Sequence, residues 1–167
     1  MNMFRFALAA CVASVTLVAS AVAAPSSGEA QIRALEQRFA GAFAAKDIDA
    51  IMKIYAPDIF VFDVVPPRQY LGTAAYRKDW QQLFSGFVGP IKFELTDLVI
   101  STDGTIGYGH SIQHVSGVDP TGAKSEMTVR VTDVYRKIGG RWLVVQEHVS
   151  VPIDLDHGGK PDMMSTP

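Results

Sequence analysis

The spacing of apolar and polar residues in the first third of the chain predicts helices. One helix is indicated by apolar side chains at three- and four-residue steps: Ile32, Leu35, Phe39, Ala42 and Phe43. Ser26 followed by Glu29 predicts a capping box at the start of this helix. Asp47 predicts the start of a second, shorter helix that Pro57 ends, and a third helix is predicted from Thr73.

After Gly89 and Pro90 the pattern changes to the two-residue period of β-strands. Short connections rich in glycine and aspartate separate four apolar runs: 91–100, 105–115, 125–137 and 141–151. Such connections predict an antiparallel meander. Helices that come first and strands that follow are typical of the α+β class, in which helices pack on one face of a sheet.

Three of these strands have a mostly apolar face that contains a few polar residues. Alternation groups the following side chains, strand by strand: Ile106, Tyr108, His110, Ile112 and His114; Met127, Val129, Val131, Asp133 and Tyr135; Leu143, Val145, Glu147, Val149 and Val151. An apolar concave face with a few convergent polar groups is typical of a small-molecule site. We therefore expect His110, His114, Asp133 and Glu147 to face a cavity.

A short strand ends on a carboxylate, Asp63, and two prolines prevent it from continuing. Asp63 shares a strand face with Ile59 and Val61, which are residues that favour burial. Two interpretations follow from the pattern. Asp63 either caps the turn at the end of the strand or points into a pocket as an acid or base.

Charge and cysteine content narrow the class of protein. The chain has 15 basic and 17 acidic residues and no basic run of five or more, so the electrostatic pattern of a nucleic-acid-binding protein is missing. Its single cysteine, Cys11, lies in the apolar N-terminal run. We therefore expect no disulfide, no thiolate metal site and no cysteine nucleophile in the folded domain.

The first residues have the features of a secretory signal peptide. Arg5 precedes an apolar run that ends in the small-x-small site Ala21–Ala23. We predict a signal peptide over residues 1–23, a folded domain over 24–155 and a flexible tail over 156–167. The protein is then secreted or periplasmic, and after cleavage we expect no association with a membrane.

Two stretches resemble a known family. The run QRFAGAFAAKDIDAIMKIYAPDIFVFDVVPP resembles the opening of ketosteroid isomerase and its SnoaL-like relatives, in the nuclear transport factor two superfamily. The run VTDVYRKIGGRWLVVQEHVSVP is similar to the closing strands of SnoaL-like proteins. The resemblance implies a cone-shaped α+β fold, in which three N-terminal helices and a strongly curved, mostly antiparallel sheet enclose an apolar cavity. It also implies a homodimer, but it specifies the activity poorly because one fold hosts many functions.

The resemblance also implies roles for individual residues. Asp63 falls where the isomerase has its general base, and Asp133 falls where it has the protonated aspartic acid of the oxyanion hole. Tyr55 sits at the position of a supporting tyrosine. Phe39 is a departure, because the isomerase has there a tyrosine that donates to the oxyanion. Loss of one such donor typically lowers turnover about 10²–10³-fold, unless Tyr55, Tyr108 or a histidine replaces it.

These considerations give a set of candidate residues. The candidate catalytic residues are Asp63, Asp133, His110 and His114. The candidate substrate-binding residues are Phe39, Tyr55, Trp80, Tyr108, Val131 and Glu147. We predict no cofactor and no metal, since His110 and His114 lie about 13 Å apart along one strand, too far to share one zinc ion.

Three hypotheses about function remain open at this point. The first is an enzyme of the isomerase, cyclase or dehydratase kind that acts on a small carbonyl compound, with Asp63 as base and Asp133 as acid or polarising group. The second is a carrier or sensor that binds a small apolar or weakly polar molecule without catalysis. The third is an oligomerisation module with a vestigial cavity.

Overall fold

The computed structural model describes residues 26–164, so the predicted signal peptide over residues 1–23 lies outside the described part. Three helices are present: α1 (Ser27–Ala44), α2 (Ile48–Met52) and α3 (Thr73–Ser85). The predicted capping box is confirmed: the Glu29 amide donates to Ser26 Oγ, and the Ser26 amide donates to Glu29 Oε2, each at a distance of 3.2 Å. Asp47 caps α2 as predicted, since its Oδ1 accepts from the Ala50 amide at 2.9 Å.

Helix α2 is shorter than the sequence predicts, and Pro57 does not end it. The helix ends at Met52, and the chain enters a β-strand at Tyr55. The amide of Val144 donates to the Ile54 carbonyl at 2.9 Å, and Tyr55 pairs with Val144. Pairing with a central strand and burial of the Tyr55 side chain therefore outweigh the local helical preference.

Most of the sheet is the predicted antiparallel meander. The strands are β1 (Tyr55–Phe62), β2 (Tyr70–Leu71), β3 (Val88–Thr102), β4 (Ile106–Val118), β5 (Lys124–Ile138), β6 (Arg141–Ser150), β7 (Ile153–Asp154) and β8 (Lys160–Pro161). The main sheet has the order β2-β1-β6-β5-β4-β3, and β1 and β6 are its parallel pair. The helices and one face of this curved sheet enclose the hydrophobic core, so the predicted α+β architecture is confirmed.

A bulge in β6 changes which of its residues face the core. Val134 pairs with Gln146 while Tyr135 pairs with Val144, so Val145 is an extra residue in β6. Such a bulge bends a strand and shifts its alternation by one residue. Glu147 is therefore buried toward the core as predicted, but on the other side of the bulge Val144 replaces Val145 on that face.

The prediction for β4 selects the wrong face of the strand. The face that carries Tyr108 and His110 is exposed, and the face that carries glycine, serine and glutamine is buried. A Cβ atom added at Gly107 would lie 2.9 Å from Ile32 Cδ1, and one at Gly109 would lie 3.1 Å from Tyr135 Oη. Small residues are needed on this inner face because α1 and the Tyr135 ring approach it closely.

The C-terminal segment, over which the sequence predicts a flexible tail from residue 156, contains a short hairpin. Strands β7 and β8 form a two-stranded hairpin, in which Ile153 pairs with Pro161. The amide of Thr128 donates to the Met163 carbonyl at 2.8 Å, which attaches the end of the described chain to β5. Among residues 26–164, no helix has the length and apolar character needed to cross a membrane.

Candidate functional site

A cavity of about 410 Å³ lies between α1, α3 and the inner face of the sheet. Its apolar lining comprises Phe39, Phe43, Val64, Val65, Trp80, Leu83, Phe87, Val115, Met127, Val129, Val131, Val149 and Met163. Eight polar side chains also belong to the lining: Asp63, Tyr76, Asp79, Gln82, Gln113, Ser125, Glu126 and Glu147. The volume and the mixture of an apolar wall with a few polar groups fit a small-molecule site.

One end of the cavity is aromatic. The ring of Phe43 stacks on Phe93 with centroids 4.3 Å apart and makes edge contacts with Phe39, Trp80 and Phe84 at 5.3–5.8 Å. Such edge and offset contacts are favourable arrangements of aromatic rings. The Phe39 ring therefore belongs to a packed wall, which explains why an aromatic residue without a hydroxyl stands at this position.

The other end is a hydrogen-bonded group of carboxyls and tyrosines. Tyr55 Oη donates to Glu147 Oε2 at a distance of 2.9 Å, and Tyr76 Oη donates a short hydrogen bond to Glu147 Oε1. Tyr76 Oη also lies 3.3 Å from Asp63 Oδ2. The end of β1, helix α3 and strand β6 thus bring Asp63 and Glu147 to the two sides of one tyrosine hydroxyl.

A second set of acidic side chains lies behind Glu147. Asp133 and Glu147 are opposite each other on β5 and β6. Tyr135 Oη donates to Glu36 Oε1 at 2.9 Å and lies 3.4 Å from Asp133 Oδ2. Asp133 Oδ1 is buried without a hydrogen-bond donor among the described residues. Asp133 is thus placed behind the cavity, which its side chain does not line.

Burial and mutual repulsion hold these carboxyls partly protonated. Burial and, second, repulsion from the nearby Asp79 carboxylate together raise the pKa of Asp63 to about 6. Burial raises the pKa of Glu147 to about 7, although the hydrogen bond from Tyr76 opposes the shift. Burial also raises the pKa of Glu36 to about 7, against the hydrogen bond from Tyr135.

The pKa of Asp133 is raised well above its usual range, first by burial and then by repulsion from Glu147. None of the cavity-lining residues in the described part of the chain is a lysine, arginine or histidine. Within residues 26–164 none of these carboxyls forms an ion pair, so protonation is the available way to reduce repulsion within the group.

The structure brings together several predicted site residues but not all of them. Asp63, Phe39, Trp80, Val131 and Glu147 line the cavity. Tyr55 and Asp133 do not line the cavity but are buried next to Glu147: Tyr55 donates to its carboxyl, and Asp133 is its cross-strand neighbour on β5.

The expectation that His110, His114 and Tyr108 face the cavity is wrong. All three lie on the outer face of β4, where Tyr108 is 54% exposed and His114 Nδ1 is 2.9 Å from Thr128 Oγ1. The glycines opposite them in the alternation must face inward, for the steric reason given above.

Three residues of the candidate site are not indicated as functional by the sequence: Tyr76, Asp79 and Glu36. Tyr76 shares the apolar stripe of α3 with Trp80, four residues later, which is the one sequence signal that it faces inward. Asp79 and Glu36 look like ordinary polar positions of amphipathic helices. Only the approach of Tyr70 on β2 to α3, and of Tyr135 on β5 to α1, gives them partners. Within residues 26–164 no group of three or more histidine, cysteine or acidic side chains has a geometry suited to hold a metal ion.

Comparison with known proteins identifies the family. The family model of the SnoaL-like domain matches residues 32–154, which is most of the chain. The chain belongs to the SnoaL-like family. This SnoaL-like chain is similar to an NTF2-like protein of unknown function from Pseudomonas putida KT2440, with 31% sequence identity and a TM-score of 0.75. The match covers 83% of this chain and 96% of the Pseudomonas protein.

More distant structures share the fold of this SnoaL-like protein. A ketosteroid isomerase-like protein from Erwinia carotovora atroseptica is 20% identical, with a TM-score of 0.62, and the match covers 72% of this chain and 93% of that one. A nuclear transport factor 2 (NTF2-like) superfamily protein from Salmonella enterica is 16% identical, with a TM-score of 0.68 and coverage of 80% and 96%. No curated protein matches the sequence.

Proposed function

We propose that the protein is a general acid–base enzyme that moves a proton on a small carbonyl compound, as an isomerase, dehydratase or cyclase does. The superfamily to which it belongs includes isomerases and dehydratases. The observation that carries the proposal is the placement of Asp63 and Glu147 in one cavity, on the two sides of the Tyr76 hydroxyl. Two carboxyls in one apolar site can work in different protonation states.

Asp63 is the proposed base and Glu147 the proposed acid. Burial above all raises the pKa of Asp63 to about 6 and that of Glu147 to about 7, and we assign the role of base to Asp63 because it is the less buried of the two. Ionised Asp63 takes a proton from the carbon next to the carbonyl, and protonated Glu147 donates a hydrogen bond to the oxygen that gains charge. Tyr76, whose own pKa is raised by burial, stays a neutral donor between them.

This assignment changes the role of Asp133. The resemblance implies that Asp133 polarises the substrate directly, whereas its side chain does not line the cavity. We assign it a positioning role: Asp133, whose pKa is raised by burial, carries a proton of its own on the buried Oδ1 and donates a hydrogen bond to Glu147, so that the proton of Glu147 stays available to the substrate oxygen. Phe39 donates no hydrogen bond, so Glu147 and Tyr76 are the proposed replacements for the lost tyrosine.

The experiment is α-proton exchange with solvent deuterium, followed by NMR for a panel of bicyclic and aryl ketones. Asp63→Asn should lower the exchange rate by about 10²–10⁴-fold, the usual contribution of a positioned base. Asp58→Asn is the matched control, because it removes the same charge from an exposed position of the same strand. Equal rates in the wild-type protein and in Asp63→Asn would contradict the proposal.

A non-catalytic carrier or sensor is the second candidate. The packed aromatic wall around Phe43 favours it, since that wall supplies affinity for an apolar molecule and no chemistry. Native mass spectrometry of the protein from a secreting host distinguishes the candidates when combined with the exchange assay. A retained molecule that wild-type protein leaves unchanged supports the carrier.

The same mass spectra test the inferred homodimer through the mass of the intact assembly. The N-terminal sequence of the secreted product tests the predicted export.

A further inference from the structure

All the charged side chains that line the cavity in the described part of the chain are acidic: Asp63, Asp79, Glu126 and Glu147. Glu126 has a cation partner of its own, because Lys124 Nζ lies 2.7 Å from its carboxylate. The other three carboxyls form no ion pair within residues 26–164. A ligand that enters this cavity therefore meets negative charge that no basic residue offsets.

Asp79 is the acidic residue that the proposed reaction does not use. It lies on α3 three residues after Tyr76, is half-buried, and its Oδ1 accepts from Tyr70 Oη at 2.8 Å. Asp79 borders both the cavity and a shallow depression on the outside. The nearest basic side chain along the helix, Lys78, lines only that outer depression.

Asp63 and Asp79 repel each other. Repulsion from Asp79 is, after burial, the main reason why the pKa of Asp63 is raised. The pKa of Asp79 itself is raised by burial. A positive charge placed near both carboxylates would remove this repulsion and gain attraction from each, and the effect is larger in a partly buried site than in water.

We propose that the cavity binds a molecule with a positively charged amine on an apolar ring-like body, and that Asp79 pairs with this amine. The proposal rests on the proposed function for the choice of site and deepens it: the carbonyl substrate would also carry a positively charged amine. The ring-like body packs against the aromatic wall, where Phe43 and Trp80 lie edge to face with centroids 5.5 Å apart. Aromatic faces also attract cations.

The same charges exclude anions. A carboxylate or phosphate in the cavity would leave water, gain no cationic partner and approach Asp63, Asp79 and Glu147. Each of these contributions is unfavourable. The cavity should therefore discriminate by charge among molecules of equal size and shape.

Three naphthalene probes of similar shape test the charge preference by isothermal titration calorimetry at about pH 8, where Asp63 and Glu147 are ionised. The probes are 2-naphthylmethylamine, 2-naphthylmethanol and 2-naphthoate. The amine should bind about tenfold or more tightly than the alcohol, and the carboxylate more weakly than the alcohol. Equal affinity for all three, or tightest binding of the carboxylate, would overturn the proposal.

Asp79→Asn tests the residue assignment. The amine should lose about tenfold in affinity while the alcohol changes by less than about twofold, since the variant removes charge and keeps an oxygen that can accept from Tyr70. Asp58→Asn, an exposed charge removal, should change neither affinity. Unchanged amine binding by a folded Asp79→Asn protein would overturn the role of Asp79, and thermal unfolding curves establish that the variant is folded.

The two proposals can fail separately. If Asp63→Asn exchanges α-protons as fast as the wild-type protein but the amine preference holds, the catalytic assignment falls and the ligand class stands. If exchange depends on Asp63 but the amine binds no more tightly than the alcohol, catalysis stands and the ligand class falls.

Discussion

The two ends of the cavity are built from the same helices and sheet but by different physical means. The aromatic end is held by ring contacts around Phe43, which has 2% of its surface exposed. The polar end is held by hydrogen bonds from tyrosine hydroxyls to Glu147 and Glu36. Burial of apolar rings stabilises the fold at every pH, whereas buried carboxyls stabilise it only when they are protonated or well paired.

Because of this difference, we expect the stability of the fold to depend mainly on the aromatic end and the protonation chemistry to depend mainly on the polar end. Changes at the aromatic end should lower the free energy of unfolding and leave the protonation chemistry of the folded protein largely intact. Changes at the polar end should alter turnover and the pH dependence of stability, with smaller losses of stability at neutral pH.

Phe43→Ala should cause the largest loss of stability. It removes a buried ring with four aromatic neighbours, and such truncations cost about 3–5 kcal/mol. Denaturant unfolding measures this loss. Phe43→Leu is the control, since it keeps apolar volume and should lose less. A loss under about 1 kcal/mol for Phe43→Ala would show that the aromatic end does not hold the fold as described.

Glu147→Gln should lower turnover by about 10²–10³-fold, the usual effect of removing one donor to a developing negative charge. Its effect on stability at neutral pH should be small or favourable, because it replaces a buried ionisable group by a neutral one of the same shape. Steady-state rates and denaturant unfolding provide the two measurements.

Glu126→Gln is the matched control for this variant, since it neutralises a cavity carboxylate that already has Lys124 as a partner. Turnover should be affected much less. Similar losses in Glu126→Gln and Glu147→Gln would indicate a general effect of charge and would contradict the specific role of Glu147.

Stability should fall as the pH rises from about 4.5 to 7. The folded-state pKa values of Asp63, Glu36 and Glu147 are raised to about 6–7, above the ordinary values of 3.8 for aspartate and 4.5 for glutamate in the unfolded chain. In this window the native state binds more protons than the unfolded state, so the free energy of unfolding decreases with pH. Asp103 has the opposite effect below about pH 4. Backbone hydrogen bonds lower its pKa to about 2, so its contribution makes the free energy of unfolding increase with pH there.

Chemical denaturation across this pH range measures the slope. Glu36→Gln should make the decrease with pH less steep, because it removes one of the raised carboxyls and keeps an acceptor for the Tyr135 hydroxyl. Asp58→Asn should leave the slope unchanged. A slope that is the same in Glu36→Gln and in the wild-type protein would contradict the assigned protonation of the polar end.

Trp80→Phe should have the smallest effect. It removes ring contacts but also removes an indole N–H that is buried without a hydrogen-bond partner among the described residues. These two contributions oppose each other, so we expect a change within about 1 kcal/mol. A larger loss in thermal or denaturant unfolding would mean that the indole ring contributes more to the aromatic end than Phe43 packing suggests.

The sequence predicted the fold better than the site, and particular residues show why. Ser26 and Glu29 act on neighbouring backbone, so their capping box could be predicted locally. For Asp63 the sequence left a turn cap and a pocket residue as alternatives, and the structure has features of both, since Asp63 lines the cavity and its Oδ1 accepts from the Val64 amide at 2.6 Å. The inner face of β4 could not be predicted from local sequence. Gly107 and Gly109 lie on it because Ile32 and Tyr135, from distant parts of the chain, approach the strand too closely for a larger side chain.

The partners of Glu147 show the same limit at the site. Its hydrogen bonds come from Tyr55 on β1 and Tyr76 on α3, which lie 92 and 71 residues away in the chain. Alternation along β6 indicates that Glu147 faces inward, but it does not indicate which hydroxyls meet it. The separation of Asp133 from the cavity likewise depends on the register of β5 against β6.

The most direct test of the account is an NMR titration of the side-chain carboxyl carbons in the wild-type protein, with Asp63→Asn and Glu147→Gln used to assign the signals. The account predicts that Asp63 titrates at about pH 6 and Glu147 at about pH 7, so that an ionised and a protonated carboxyl coexist between these values. Titration of both groups near pH 4, as for exposed carboxyls, would contradict it.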